Sequence, residues 1–214
     1  MQSGTRSDTM GLVSNTALFN ASADAFLGLL AEVAPDQWES HGLGSWTVRS
    51  LAGHTARAIL TVETYLGQDE PGSATIPSAE HYYNEVLEQF TDHTSIEQRG
   101  VEAGAWLGAD PVGQVRDAIN RTKVLISEQP SDRLVSIGGM GILLDEYLRT
   151  RVVELVVHSI DLARAIGSDF TPPKDALAMT VSLLAQTAVH RGSGVELVLA
   201  LTGRERLPEG FTVV

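Results

Sequence analysis

Between Leu143 and Ile166 the chain carries a helical pattern that leaves little room for water. At about 100° per residue, Tyr147, Arg151, Glu154, His158, Asp161 and Ala165 share one narrow face. Val152, Val153, Leu155, Val156, Val157, Ile160, Leu162, Ala163 and Ile166 cover nearly all the rest. A surface helix has a polar face about as wide as its apolar one, but here the polar stripe takes only about a quarter of the circumference. This helix is therefore expected inside the fold, with other helices against most of its sides. Gly167 is its expected stop, in the left-handed conformation that glycine tolerates.

The same pattern predicts what surrounds it. A first helix is expected from Thr16 to Val33, with an apolar seam of Leu18, Ala21, Ala25, Leu29 and Val33, Phe26 and Leu30 beside it, ended by Pro35. Thr47 is a good N-cap for a second helix to about Leu66, with Val48, Leu51, Ala52, Ile59, Val62 and Leu66 on its apolar side. Helical stretches follow from Ser78 through Phe90 and from Val101 to Leu107, with Thr91–Gly100 open between helix and break. Asp110-Pro111 restarts a helix as N-cap and first residue. Leu134–Ile142 is extended around a glycine-rich turn and is expected to be a flexible entry to the long helix. Its glycines match no nucleotide-binding fingerprint. Lys174–His190 is amphipathic, and Glu196–Leu201 fits a short helix or a strand equally. Five or six helices with little strand favour a helical bundle. The domains are expected as a disordered leader at 1–13, the bundle at 14–194 and a short C-terminal extension at 195–214.

Composition narrows the function. A formal charge of −12 without any Lys/Arg cluster argues against nucleic acid and against anionic membrane surfaces. No apolar run approaches the ~20 residues of a membrane span, and the first ten residues have no apolar signal segment. With no cysteine there is no disulfide, thiolate ligand or cysteine nucleophile, so a cytoplasmic protein is expected, and any thiol chemistry needs a thiol carried in on a small molecule.

The long helix also carries a chemical pattern. Glu154 and His158 stand one turn apart and point the same way. They are placed either as two ligands of one metal ion or as two residues of a solvated face, since Glu-x-x-x-His lacks the fuller signature of protease zinc helices. A third ligand has to come from elsewhere. His54 lies on the second helix at the flank of its apolar side, where its plain reading is a boundary histidine bonded to a neighbouring carbonyl.

Three blocks are informative together: Trp46-Thr-Val-Arg-Ser-Leu-Ala-Gly-His54, Glu154-Leu-Val-Val-His-Ser-Ile-Asp-Leu-Ala163, and Leu201-Thr-Gly-Arg-Glu-Arg-Leu-Pro-Glu-Gly-Phe211. In order and spacing they resemble the mycothiol-dependent maleylpyruvate isomerase family, a branch of the DinB/YfiT-like metalloenzyme superfamily, over about residues 14–214. The resemblance implies an all-α, DinB-like four-helix bundle with extra short helices and a short C-terminal extension. It implies a divalent metal, zinc or alternatively nickel, held by His54, Glu154 and His158. It implies a metal-dependent mycothiol S-transferase or a maleylpyruvate-isomerase-like enzyme. Mycothiol or a similar small thiol is then the cosubstrate, activated as thiolate against a small electrophile. The alternative is a non-catalytic metal- or small-molecule-binding bundle. No catalytic residue beyond the metal ligands is assigned. The chain departs from the isomerases in having only the residues 195–214 after the bundle where they carry a sizeable domain, so the thiol or substrate site is expected to be built differently.

Around that site, Asp161 is expected either to accept the free ring N–H of His158 or to be a plain surface carboxylate. Arg151 is expected either in a structural salt bridge to Glu154 or Asp161 or against an anionic substrate or the thiol's carboxylate, the salt bridge being favoured by helix spacing. Tyr147 is a pocket-lining candidate, and Trp46 is expected as a core anchor. The superfamily implies a homodimer, for which exposed apolar residues of the first helix are the expected interface.

Overall fold

The computed structural model describes residues 13–86 and 93–214. Of the expected leader at 1–13, all but Val13 lies outside the described residues, as do positions 87–92 of the stretches read as helix or left open. The chain order begins with α1 (Asn15–Leu30), a two-stranded turn of β1 (His41–Leu43) and β2 (Trp46–Thr47), and α2 (Val48–Leu66). A single turn, α3 (Ala79–His81), runs into a π-helical turn at Tyr82–Val86. Then come α4 (His93–Trp106), α5 (Pro111–Ser127), β3 (Leu134–Ile137), β4 (Met140–Leu143), α6 (Leu144–Ile166), α7 (Lys174–His190) and α8 (Gly194–Leu201). The fold is all-α. The ambiguous tail is a helix, and none of the described helices is long and apolar enough to cross a membrane.

Helix starts follow their caps. Ser14 accepts from the Ala17 amide, Thr47 Oγ1 from the Ser50 amide at 3.2 Å, and Asp110 Oδ1 from the Gly113 amide at 2.9 Å, each satisfying a donor that the first turn leaves open. Helices α1, α2, α5 and α6 form a four-membered bundle in which α6 packs on α1 and α2, and α5 packs on the same two. Helix α4 lies outside against α2, and α7 against α6 and α1. The long helix is as enclosed as its pattern demands: Val152, Leu155, Val156 and Leu162 are all buried. Each such side chain contributes roughly 1.5–3 kcal/mol on leaving water.

Two readings are corrected. Leu18, Phe26, Leu29 and Leu30 of α1 are buried as expected, but Phe19 and Ala23 complete the core face, while Ala21 is exposed and Ala25 only half-buried. The two phenylalanines offer far more apolar area than the alanines, and the helix turns to bury them. None of its large apolar side chains is exposed, so the exposed apolar residues of α1 are alanines, Ala17 and Ala21. Leu134–Leu143 is also no flexible entry. It is an antiparallel hairpin pairing Leu134 with Leu143 and Ile137 with Met140. Gly138 and Gly139, at φ 57° and 87°, supply the two left-handed residues of a turn whose twist suits a hairpin.

One very close backbone approach, between α2 and α4, bears on the site. A Cβ on Gly53 of α2 would lie 2.2 Å from the Gly104 amide nitrogen and 2.3 Å from the Ala103 carbonyl carbon of α4. Backbone cannot yield as a side chain does. Gly53→Ala is expected to destabilise the protein by ~3 kcal/mol or more, at or beyond the upper end of overpacking, measured as the shift in a urea melt. A variant as stable as the wild type would show that the two helices do not approach so closely.

Candidate metal centre

Residue 54 follows that close contact, on the flank of α2 that faces α6. Glu154 and His158 stand on successive turns of α6. The neighbouring positions of α2 and α6 bring all three side chains to one point: one ligand atom from each lies within 4.8 Å of the others. His158 Nε2 is 3.4 Å from Glu154 Oε2, and the His54 and His158 rings meet edge to face with centroids 4.7 Å apart. Ligands of one zinc ion sit about 3–4 Å apart, so the set closes with side-chain movement of about 1 Å. These residues are not dispersed surface groups.

Each member is held from outside. Asp161 Oδ2 lies 3.2 Å from His158 Nδ1, so Nδ1–H donates to the carboxylate, and once the ring gives up its second proton the lone pair is on Nε2, the nitrogen near Glu154. The Tyr83 hydroxyl is 3.3 Å from Glu154 Oε1. Trp46 stacks obliquely on His54 at 4.5 Å and donates from Nε1 to the Glu97 carbonyl. His54 does not have the carbonyl partner of a boundary histidine: its Nδ1 is buried without a hydrogen bond. The His54 ring stands beside a carboxylate and a second imidazole, a donor set that suits a cation, and its unpartnered buried Nδ1 is a cost the fold carries at this point.

The charges are arranged accordingly. For His54, burial and then the charge on His158 lower the pKa to about 4, leaving it neutral. Burial works against the proton on His158, but hydrogen bonds to Asp161 and Glu154 outweigh it and raise the pKa to about 9. Burial would raise Glu154 too, yet the His158 hydrogen bond and the Arg151 charge bring it down to about 2. Without metal the centre is thus a Glu154 carboxylate and a His158 imidazolium beside a neutral His54. Tyr83 keeps its proton, because burial and the Glu154 charge push its pKa well up.

A cavity of about 430 Å³ opens over the cluster. Arg57, Arg99 and Arg151 all line it, together with Tyr147, Trp46 and Tyr82. Arg151 is a correction. It is 8% exposed, its guanidinium lies 4.8 Å over the Tyr147 ring, and its Nε donates to Thr150 Oγ1, with no ion pair to Glu154 or Asp161 among the described residues. Helical side chains lean toward the helix N-terminus, which carries this one away from Glu154 and onto Tyr147. Tyr147 is buried and donates to Thr61 Oγ1 at 2.8 Å.

Several residues of the site went unread in the sequence. Arg57, Thr61 and Tyr65 follow His54 at helical spacing, so the face of α2 that carries the histidine already pointed to them. Trp46 is a half-buried ring on His54 rather than a core anchor. For Tyr83 and Arg99, on other elements, no sequence signal was available.

With this geometry in view, a model of the mycothiol maleylpyruvate isomerase N-terminal domain matches residues 19–163, more than half of the chain. The chain belongs to that family. The mycothiol maleylpyruvate isomerase domain so matched contains the blocks 46–54 and 154–163, while the block 201–211 lies beyond it. A DinB-like bundle is consistent with this membership. No curated protein and no solved structure matches the chain.

Proposed function

We propose that this protein is a metal-dependent enzyme using mycothiol or a similar small thiol on a small, carboxylate-bearing electrophile, as a transferase or an isomerase. The carrying observation is the meeting of His54, Glu154 and His158, with an unpartnered buried nitrogen on His54, at the wall of a cavity large enough for a small substrate. Two imidazoles and a carboxylate are a common zinc donor set, and nickel is the alternative ion. Once bound, the ion supplies Lewis acidity that favours thiolate over thiol. With no cysteine in the chain, the thiol has to come from a small molecule.

The chain's own residues do the rest. Asp161 orients the His158 ring, and Glu154 provides the anionic ligand. The arginines supply positive charge in one cavity of a chain with net charge −12, which favours an anionic group on the electrophile. Arg57 forms no ion pair among the described residues, so its charge is available to such a group. A thiolate adding to an activated double bond and leaving again isomerises it. A thiolate displacing a leaving group forms a bond from sulfur to the electrophilic carbon while the leaving group departs with the electron pair of the bond that breaks, so the substrate's carbon group is transferred to the thiol.

The test is thiol conjugation of a model electrophile by purified protein, expected to disappear with a chelator and to return with zinc. Zinc uptake without any thiol-dependent turnover would instead establish a non-catalytic binding bundle. Within the same assay, Arg57→Gln is expected to raise KM for a carboxylate-bearing electrophile by roughly tenfold or more, with kcat little changed. A neutral analogue should be unaffected. Equal effects on the two substrates would remove Arg57 from substrate binding.

A further inference from the structure

The segment Ala79–Val86 comprises one α turn and one π turn, and both its ends are tied to the bundle. At its start the Ala79 amide donates to Glu146 Oε2 at 2.8 Å, and Arg149 pairs with both Glu80 and Glu146. Near its end Arg191, just past α7, donates to the Tyr83 carbonyl at 2.8 Å and to Asn84 Oδ1 at 3.3 Å. Between these ties Tyr82 and Tyr83 turn inward with rings 5.3 Å apart. Tyr83 is 1% exposed, and its hydroxyl lies 3.1 Å from the Thr150 carbonyl and 3.3 Å from Glu154 Oε1. A phenol has one proton to give. The Thr150 carbonyl sits within α6, where the helix supplies its own donors, so the Glu154 carboxylate is the acceptor with the greater need. π turns within helical segments are frequent at functional sites.

We propose that Tyr83 is a positioning residue for the metal centre: its hydroxyl restrains Glu154 Oε1 so that Oε2 faces His54 and His158, and the strap Ala79–Val86 serves to deliver it. The inference rests on the metal site proposed above. A glutamate on a helix has three rotatable bonds, and ordering it when the ion arrives costs affinity unless a neighbour has already fixed it. His158 restrains only the oxygen that faces the ion, at 3.4 Å. Tyr83 restrains the other one. Removing an outer partner of this kind typically weakens metal binding 10–100-fold.

The experiment measures zinc affinity by chelator competition for metal-free wild type, Tyr83→Phe, Arg149→Gln and His54→Ala, with a thermal melt of each metal-free protein. Tyr83→Phe is expected to bind zinc roughly 10–100-fold more weakly, with its metal-free melting temperature close to wild type, and to shift the visible spectrum of the cobalt-loaded protein. A merely structural tyrosine would do the reverse, lowering the melting temperature and leaving the zinc constant alone. Arg149→Gln loosens the strap at its partly exposed end and is expected to weaken zinc binding in the same direction by a smaller factor. It carries the test if Tyr83→Phe fails to fold. Zinc bound by Tyr83→Phe within twofold of wild type overturns the inference, as does wild-type affinity in Arg149→Gln where Tyr83→Phe is unfolded. A wild-type protein that takes up no zinc overturns the metal site itself. Zinc lost only in His54→Ala leaves that site standing and removes Tyr83 from it.

Discussion

His54→Ala is expected to take bound zinc from about one equivalent per chain to near none, because a three-ligand set has no spare donor. The loss should exceed the ~10–100-fold that follows removal of an outer partner. Elemental analysis of protein reconstituted with zinc and then dialysed measures it. The fold is expected to survive, since His54 contributes a buried nitrogen without a hydrogen bond and its replacement leaves no partner stranded. Metal-free stability even gains in acid. A histidine whose folded pKa is about 4, below its ordinary 6.5, is protonated more readily when unfolded, so it costs stability as pH falls from 6.5 toward 4. The alanine variant lacks that penalty. Zinc retained in full by His54→Ala would break the proposed centre, since Glu154 and His158 alone would then suffice.

Zinc affinity is expected to climb steeply with pH, about tenfold per pH unit, from about pH 6 to about pH 9, and to level off above that. Over this range binding releases one proton. Glu154, with its pKa near 2, is already ionised, and His54, near 4, is already neutral. His158 alone has to give up a proton, which Asp161 and Glu154 hold until about pH 9 despite burial. The rise from pH 6 to pH 9 is therefore about a thousandfold. Asp161→Asn removes the first of those two partners and should move the plateau to lower pH. Competition titrations against a chelator of known proton affinity measure both curves. A flat profile would mean that His158 is neutral before the ion arrives.

The metal-free protein should show the opposite dependence at the same residue. The raised pKa of His158 contributes stability that is complete below about pH 6.5 and is lost as pH rises through about 9. The depressed pKa of Glu154 contributes stability that is complete above about pH 4.5 and is lost as pH falls through about 2. Between those limits both groups are charged and the pair holds best, which is where zinc has most to displace.

Local rules were readable in the chain before any coordinates. Thr47 and the Asp110-Pro111 pair begin helices, and Gly167 ends one at φ 73°. The narrow polar stripe of α6 announced a helix enclosed by others, and the i, i+4 spacing alone put Glu154 beside His158. His54 came into the site only through resemblance of whole blocks, because nothing local to α2 says what faces it. The face of α1 was centred on Ala21 and Ala25 instead of Phe19 and Ala23 because apolar positions were counted without weighing the size of Phe19.

Sequence by itself determined which side chains share a helix face and where helices begin and end, since these follow from a repeat of 3.6 residues and from hydrogen bonds spanning four. Only the tertiary structure decided what those faces meet. It brought α2 against α6 so that an imidazole joined Glu154 and His158, laid Arg151 over Tyr147 instead of against a carboxylate, and tied down the turn that sets Tyr83 on Glu154. Contacts between residues 71 or 100 positions apart depend on how whole helices pack, and no local periodicity encodes that.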